Sequence, residues 1–165
     1  MYDLVFKNGL VLGAGEPFVG DVAVQGEKIA AVGLGLAGRR EIAADGLYVM
    51  PGGVDIHVHL EMPVGQFRTA DDFFSGTRAA AFGGTTTIID FVEATLGQAM
   101  HAAITARKKL AAARSMIDYT FHMTIQPHDV VRLEQLAEVV AAGISSFKLY
   151  MAYGLRLTDD ELLLL

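Results

Sequence analysis

Cysteine and tryptophan are absent from the 165 residues. Without cysteine there is no disulfide framework, no thiolate zinc site and no cysteine nucleophile. Any metal must be held by histidine, carboxylate or something rarer. Positive charge is also sparse: 13 Lys and Arg against 19 Asp and Glu give a formal net charge of −6. That balance argues against a nucleic-acid surface. The two basic clusters, Arg39-Arg40 and Arg107-Lys108-Lys109, read as solvated surface. No apolar run reaches about 18 residues, so no membrane-spanning helix is expected. The segment from Met1 to Gly9 has no basic region followed by a long apolar stretch. No signal peptide is therefore expected, and the cytoplasm is the expected compartment.

What is present suits a soluble globular protein with one sizeable core, rich in Ala, Val, Leu, Ile and Gly. Residues 1–50 read as β structure. Asn8-Gly9, Gln25-Gly26-Glu27 and Asp45-Gly46 each separate two short apolar runs, a hairpin signal. Three hairpins without a helix predict a small N-terminal β-sandwich segment.

After Pro51 the pattern becomes strand then helix, repeated. Strands are expected at 52–60, 85–92, 119–125 and 145–151. Helices are expected at 70–82 with Thr69 as N-cap, at 96–114 and at 129–142, and another opens at Thr158. Such alternation implies parallel strands with crossover helices. Residues 51–165 then make an α/β fold, the first four strands of a (β/α)8 barrel of the TIM type. A complete barrel takes about 250 residues, and its chemistry sits at the C-terminal ends of the strands.

Within the first of these strands, Asp55, His57 and His59 alternate with Val54, Ile56, Val58 and Leu60. On a strand, residues two apart share a face. Two neutral imidazoles on one rigid strand can hold a transition metal; the plainer alternative is a polar strand face with two satisfied histidines. Asp55 is either a carboxylate that orients a ligand imidazole or a strand-end carboxylate. Lys148 lies mid-strand between Phe147 and Leu149 in a segment that reads as buried. A buried ammonium is costly unless paired or neutralised. Either Asp90 or Glu93 neutralises it, or it is a neutral amine that has captured carbon dioxide. The resulting carbamate can bridge two metal ions about 3.5–4 Å apart.

The segment Pro51-Gly52-Gly53-Val54-Asp55-Ile56-His57-Val58-His59-Leu60 resembles the first barrel strand of the amidohydrolase superfamily. Glu61-Met62-Pro63, Ala70-Asp71-Asp72-Phe73-Phe74 and the run from Phe82 to Phe91 resemble its dihydropyrimidinase and hydantoinase branch. The segment from Ser146 to Tyr153 resembles the one that carries that branch's carboxylated lysine and substrate tyrosine. The resemblance extends over essentially the whole chain.

It implies that His57 and His59 bind the more buried of two metal ions and that Lys148, carboxylated, bridges both. Tyr153 would hydrogen-bond the substrate carbonyl and the oxyanion formed from it. A bridging hydroxide would open the ring of a dihydropyrimidine or a 5-substituted hydantoin. Zinc best fits a site of histidine and oxygen ligands, with manganese or cobalt as substitutes. Met62 to Phe67 would shape the pocket for the exocyclic substituent. The resemblance implies a homo-oligomer, dimer or tetramer, with a small cyclic amide as its ligand.

His101 and His128 read as surface residues and His122 as a core histidine. Asp90 and Glu93 are further candidates for a general base, although the resemblance places the base, two more histidines and an aspartate beyond Leu165. Residues 1–165 alone are therefore expected to be inactive. Gly154-Leu155 departs from the branch's usual Lys-Gly. The absence of an arginine after His59-Leu60 argues against dihydroorotate as substrate. Alternative readings are an allantoinase-like cyclic amidase and a non-catalytic scaffold like the collapsin-response-mediator proteins, which lack these metal ligands.

Overall fold

The computed structural model describes residues 1–13 and 15–165, in two units, Met1–Pro51 and Gly52–Leu165. In the first unit, β1 (Tyr2–Val11) runs unbroken through Asn8-Gly9, where the sequence predicts a turn. Asn8 has a left-handed backbone with φ 59°, and the antiparallel pairing with β2 (Phe18–Gln25) shifts between Phe6 and Gly9. The dipeptide is therefore a bulge. Asp21, buried in β2, holds it in place. Its carboxylate accepts from the Asn8 N–H at 2.9 Å, from Lys7 Nζ at 2.6 Å and from the Leu36 N–H at 3.0 Å.

The hairpin between β2 and β3 (Lys28–Gly33) forms as expected, with Gln25 opposite Lys28. The third predicted hairpin does not. Strands β4 (Gly38–Ala43) and β5 (Tyr48–Val49) both run parallel to β1, along Tyr2–Lys7 and Leu10–Val11 respectively. Asp45-Gly46 thus steps the chain along one edge of β1 instead of reversing it. The result is one five-stranded sheet in the order β3-β2-β1-β4, with β5 also beside β1. The buried apolar residues of this unit, among those described, are Val5, Val22 and Ala23 on the strands and Ala44 just after β4.

The second unit is α/β. Strand β6 (Gly53–Asp55) is followed by a small hairpin, β7 (Pro63–Val64) and β8 (Phe67–Arg68), and by α1 (Phe73–Phe82). Then come β9 (Thr85–Glu93), α2 (Met100–Ala112), β10 (Asp118–Ile125), a 3₁₀ segment (Pro127–Gln135) leading into α3 (Leu136–Ala141), β11 (Phe147–Leu149) and α4 (Asp159–Leu162). Strands β11-β10-β9-β6 form one parallel sheet, half of a barrel.

Period-two alternation sorts its faces. Ile88 and Val92 of β9 and Phe121, Met123 and Ile125 of β10 pack with Phe73 of α1, Met100 and Ile104 of α2 and Val139 of α3. The opposite face carries Phe91, Glu93, His122, Thr124 and Lys148.

Three helices differ from expectation. The one expected over 96–114 is shorter, Met100–Ala112. Asp72, not Thr69, caps α1: its Oδ1 accepts from the Ser75 N–H at 2.7 Å, and Ser75 Oγ accepts from the Asp72 N–H at 3.0 Å. Thr69 closes the β7–β8 loop instead, its Oγ1 accepting from the Met62 N–H at 3.0 Å. The helix expected over 129–142 breaks at Arg132, whose φ is −135°. The Arg132 guanidinium is drawn to the buried Asp129 carboxylate and to the Gln98 carbonyl, each at 2.6 Å. Among the described residues, no helix is long and apolar enough to cross a membrane.

Candidate metal centre

Asp55 ends β6. Its Oδ1 accepts from the His57 N–H at 3.0 Å, a local turn that takes the chain out of the ladder. The expected strand over 52–60 is thus only Gly53–Asp55, and it is exposed rather than buried. The physical reason is pairing: among the described residues β6 has a neighbour on one side only, β9. Approach to that neighbour is close, since a Cβ on Gly52 would come within 2.2 Å of the Thr86 side chain. His57 and His59 therefore sit on irregular backbone just past the strand's C-terminal end.

Their rings nevertheless converge. The His57 and His59 centroids lie 5.2 Å apart with planes at 78°. Phe91 packs beneath both, 4.9 Å from His57 and 4.6 Å from His59, the latter stacked at 28°. His122 touches the same ring at 5.1 Å, and Lys148 Nζ stands 5.5 Å from its centroid. Parallel register puts Glu93, Thr124 and Lys148 in one row across β9, β10 and β11. Lys148 is half-buried on β11, not enclosed as the sequence predicts. Among the described residues it forms no ion pair with Asp90 or Glu93.

Buried polar atoms without a partner gather here: His59 Nδ1, Glu93 Oε1 and Thr124 Oγ1. Such atoms are costly when left unpaired. Burial holds the His59 imidazole below its ordinary range; His57 and Lys148 push the same way, and Asp90 pushes against. A neutral imidazole with a free buried nitrogen is the donor that a transition metal takes. Burial likewise raises Glu93 above the usual carboxylate range, against Arg107. Among the described residues, no three His, Cys, Asp or Glu side chains converge as a complete ligand set. The donor set fits a metal only with Lys148 or with groups from elsewhere.

Asp90 is no candidate base. It points to the opposite face, fully buried, and pairs with Arg107. Burial pushes its carboxyl up, while Arg107 pulls it down. Arg107 is itself half-buried, correcting its assignment to a solvated cluster. The signal was available: 107 continues the helical stripe of Met100, Ala103, Ile104 and Ala111. His101 is exposed beside Glu138, whereas His128 is half-buried, its Nε2 on the Ala94 carbonyl at 3.2 Å.

Tyr153 lies beyond β11 in the loop that the Leu157 N–H closes onto the Tyr150 carbonyl at 3.1 Å. The residue is 82 % exposed and its φ is 64°, a left-handed conformation that a tyrosine rarely adopts. Burial first, then Glu93 and Tyr153, raise the neighbouring Tyr150 phenol above its ordinary range. Phe91 also lines a cavity of about 550 Å³ between the β7–β8 hairpin, the end of β9 and α2, bordered by Met62, Pro63, Glu93, Ala103, Arg107 and Leu110; neither histidine lines it.

Residues 48–157 match the model of the amidohydrolase family. The chain is 45% identical over 152 residues to the D-hydantoinase of Geobacillus stearothermophilus, covering 90% of this chain and 32% of that protein. It is 40% identical over 164 residues to a D-phenylhydantoinase of Escherichia coli, covering 97% of this chain and 36% of that one. The crystal structure of the dihydropyrimidinase from Brevibacillus agri superposes with a TM-score of 0.89 at 42% identity, over 96% of this chain and 35% of that one. The chain thus spans about a third of the length of these relatives. It belongs to the amidohydrolase family, on the branch of the hydantoinases and dihydropyrimidinases.

Proposed function

We infer that these residues are the front part of a metal-dependent hydrolase that opens cyclic amides, dihydropyrimidines or 5-substituted hydantoins, at a C–N bond. The observation that carries this reading is the gathering of His57, His59 and Lys148 around the Phe91 ring, at the strand ends where barrel enzymes place their chemistry. His57 and His59 would hold one metal, and Lys148, as its carbamate, would bridge to a second. Bound there, zinc would supply the Lewis acidity that activates water and polarises the ring amide.

The chain's own residues do the rest. Phe91 fixes both imidazole planes from below. The Lys148 amine adds to carbon dioxide and releases a proton, replacing a cation by an anion with two oxygen donors. The Tyr153 phenol donates to the substrate carbonyl and to the charge that develops on it. Its strained backbone supports that role, since such conformations concentrate at functional sites. Met62 and Pro63 flank the cavity that would take the ring's substituent. Asp55 acts on His57 through the peptide N–H.

In the same reading, residues 1–50 are one layer of a β-sandwich and residues 51–165 the first half of a barrel, both completed by chain outside these residues. That chain supplies the remaining ligands and the general base. The protein is a cytoplasmic homo-oligomer, dimer or tetramer.

The test is turnover of dihydrouracil, a phenylhydantoin and allantoin by the full-length protein, with and without a chelator, beside residues 1–165 given excess zinc and bicarbonate. Full-length protein should open one of the first two in a metal-dependent way, and residues 1–165 should be inert. Turnover confined to allantoin, or activity in the chelated protein, would refute the assignment.

A further inference from the structure

Residues 56–60 carry both histidines, yet they lie outside the strand ladder. Two of their carbonyls are held by side chains from other elements. On one side, His122 of β10 places Nε2 3.0 Å from the Ile56 carbonyl. A carbonyl only accepts, so Nε2 carries the proton. Nδ1 then accepts from the Ser146 hydroxyl at 2.6 Å. One imidazole thus reaches from the start of β11 across β9 to the peptide preceding His57, with its tautomer set by Ser146.

On the other side, one Arg107 Nη donates to both the Leu60 carbonyl and the buried Asp90 carboxylate. The guanidinium is also seated 4.8 Å above the Phe73 ring of α1. Leu60 is fixed from a third direction by close packing, since a Cβ on Gly76 of α1 would come within 2.4 Å of Leu60 Cδ2. A segment without ladder bonds is otherwise free to fray. Here its first and last carbonyls are both pinned, with His57 and His59 between the pins.

We propose that His122 and the Asp90–Arg107 pair are positioning residues, which hold the His57–His59 segment in the geometry that metal binding needs. This rests on the reading of His57 and His59 as ligands. The effect is on affinity: a ligand pair that must be ordered at the moment of binding binds more weakly than one already held.

The experiment is zinc competition against a chelator, on the full-length protein and its variants, with the thermal midpoint of each apoprotein measured alongside. His122→Phe keeps a ring but removes the donor. It should weaken zinc binding by roughly ten- to hundredfold, the usual scale for groups that orient ligands. His122→Gln, which retains an N–H, should recover most of that loss. Ser146→Ala, which opens little space, should shift affinity in the same direction by less, and it carries the test if His122→Phe fails to fold. Arg107→Met should weaken zinc binding independently of His122.

A purely structural role predicts something else: lower apoprotein midpoints with unchanged zinc affinity. Unchanged affinity in His122→Phe, or in Ser146→Ala should that variant alone fold, would overturn the proposal. The control is His57→Ala/His59→Ala. If that variant keeps full zinc affinity, the ligand assignment itself has failed, and the positioning role with it.

Discussion

His57 and His59 meet edge to face, their ring centroids 5.2 Å apart. Burial first, and then the neighbouring His57 imidazole, disfavour a proton on His59. His59 is therefore held toward the neutral form that binds metal. Metal content of the full-length protein should fall sharply in the His57→Ala/His59→Ala variant, as read by elemental analysis after dialysis. Unchanged content would remove the pair from the site.

Lys148 has no carboxylate partner among the described residues and stands in register with the unpaired Thr124 hydroxyl. Full-length protein loaded with metal in isotopically labelled bicarbonate should show a carbamate carbon signal that is absent from Lys148→Ala. That variant should lose nearly all activity, and a short carboxylic acid should restore part of it. A metal-loaded protein with an unmodified ammonium at 148 would contradict the carbamate.

Tyr153 makes two separable predictions. Tyr153→Phe should lower kcat by about a hundredfold, the scale of one lost oxyanion donor, with metal content intact. Tyr153→Gly should lose the same activity yet gain up to about 1 kcal/mol in stability, because glycine accepts a left-handed backbone. Steady-state kinetics and denaturant titration read the two effects. A wild-type rate in Tyr153→Phe would exclude the phenol from the reaction.

Asp21 sets an acid limit. The Lys7 ammonium first, then the Asn8 N–H, hold its carboxyl below its ordinary value, against the effect of burial. Its folded pKa is thus lower than its unfolded one. The stabilisation is complete above the unfolded value and is lost as pH falls through the folded one. Unfolding free energy should drop as pH falls below about 4, and Asp21→Asn should flatten that stretch. The same variant should cost about 3–5 kcal/mol near neutrality, the scale of breaking a buried pair. An unchanged acid profile would rule Asp21 out.

Much of this was readable from residues alone. The alternation after Pro51 was legible because each strand and helix follows its own hydrophobic period, and Thr85–Glu93 and Asp118–Ile125 are found where expected. Several of the errors share a physical origin in long-range contacts. Asn8-Gly9 has the composition of a hairpin turn, but Asp21, thirteen residues away, makes it a bulge. The helix over 129–142 breaks because Arg132 answers to Gln98. Strand parity predicted that His57 and His59 share a face. They do meet, but through the Phe91 ring rather than through a continued strand. The contacts of His122 with Ile56 and of Arg107 with Leu60 are not legible, because these partners are peptide carbonyls, which carry no mark in a sequence.

The parallel row of Glu93, Thr124 and Lys148 also has a consequence in time. Its three members lie on strands separated by whole crossover helices, so each neighbour relation closes a loop of more than twenty residues. Closing such loops costs entropy before any contact repays it, and this slows folding. The β2–β3 hairpin, whose ends meet across two residues, carries no such delay. During refolding, amide protection should therefore appear early in Phe18–Gln25 and late in Phe147–Leu149, so that the chemistry-bearing row is among the last parts of the molecule to assemble.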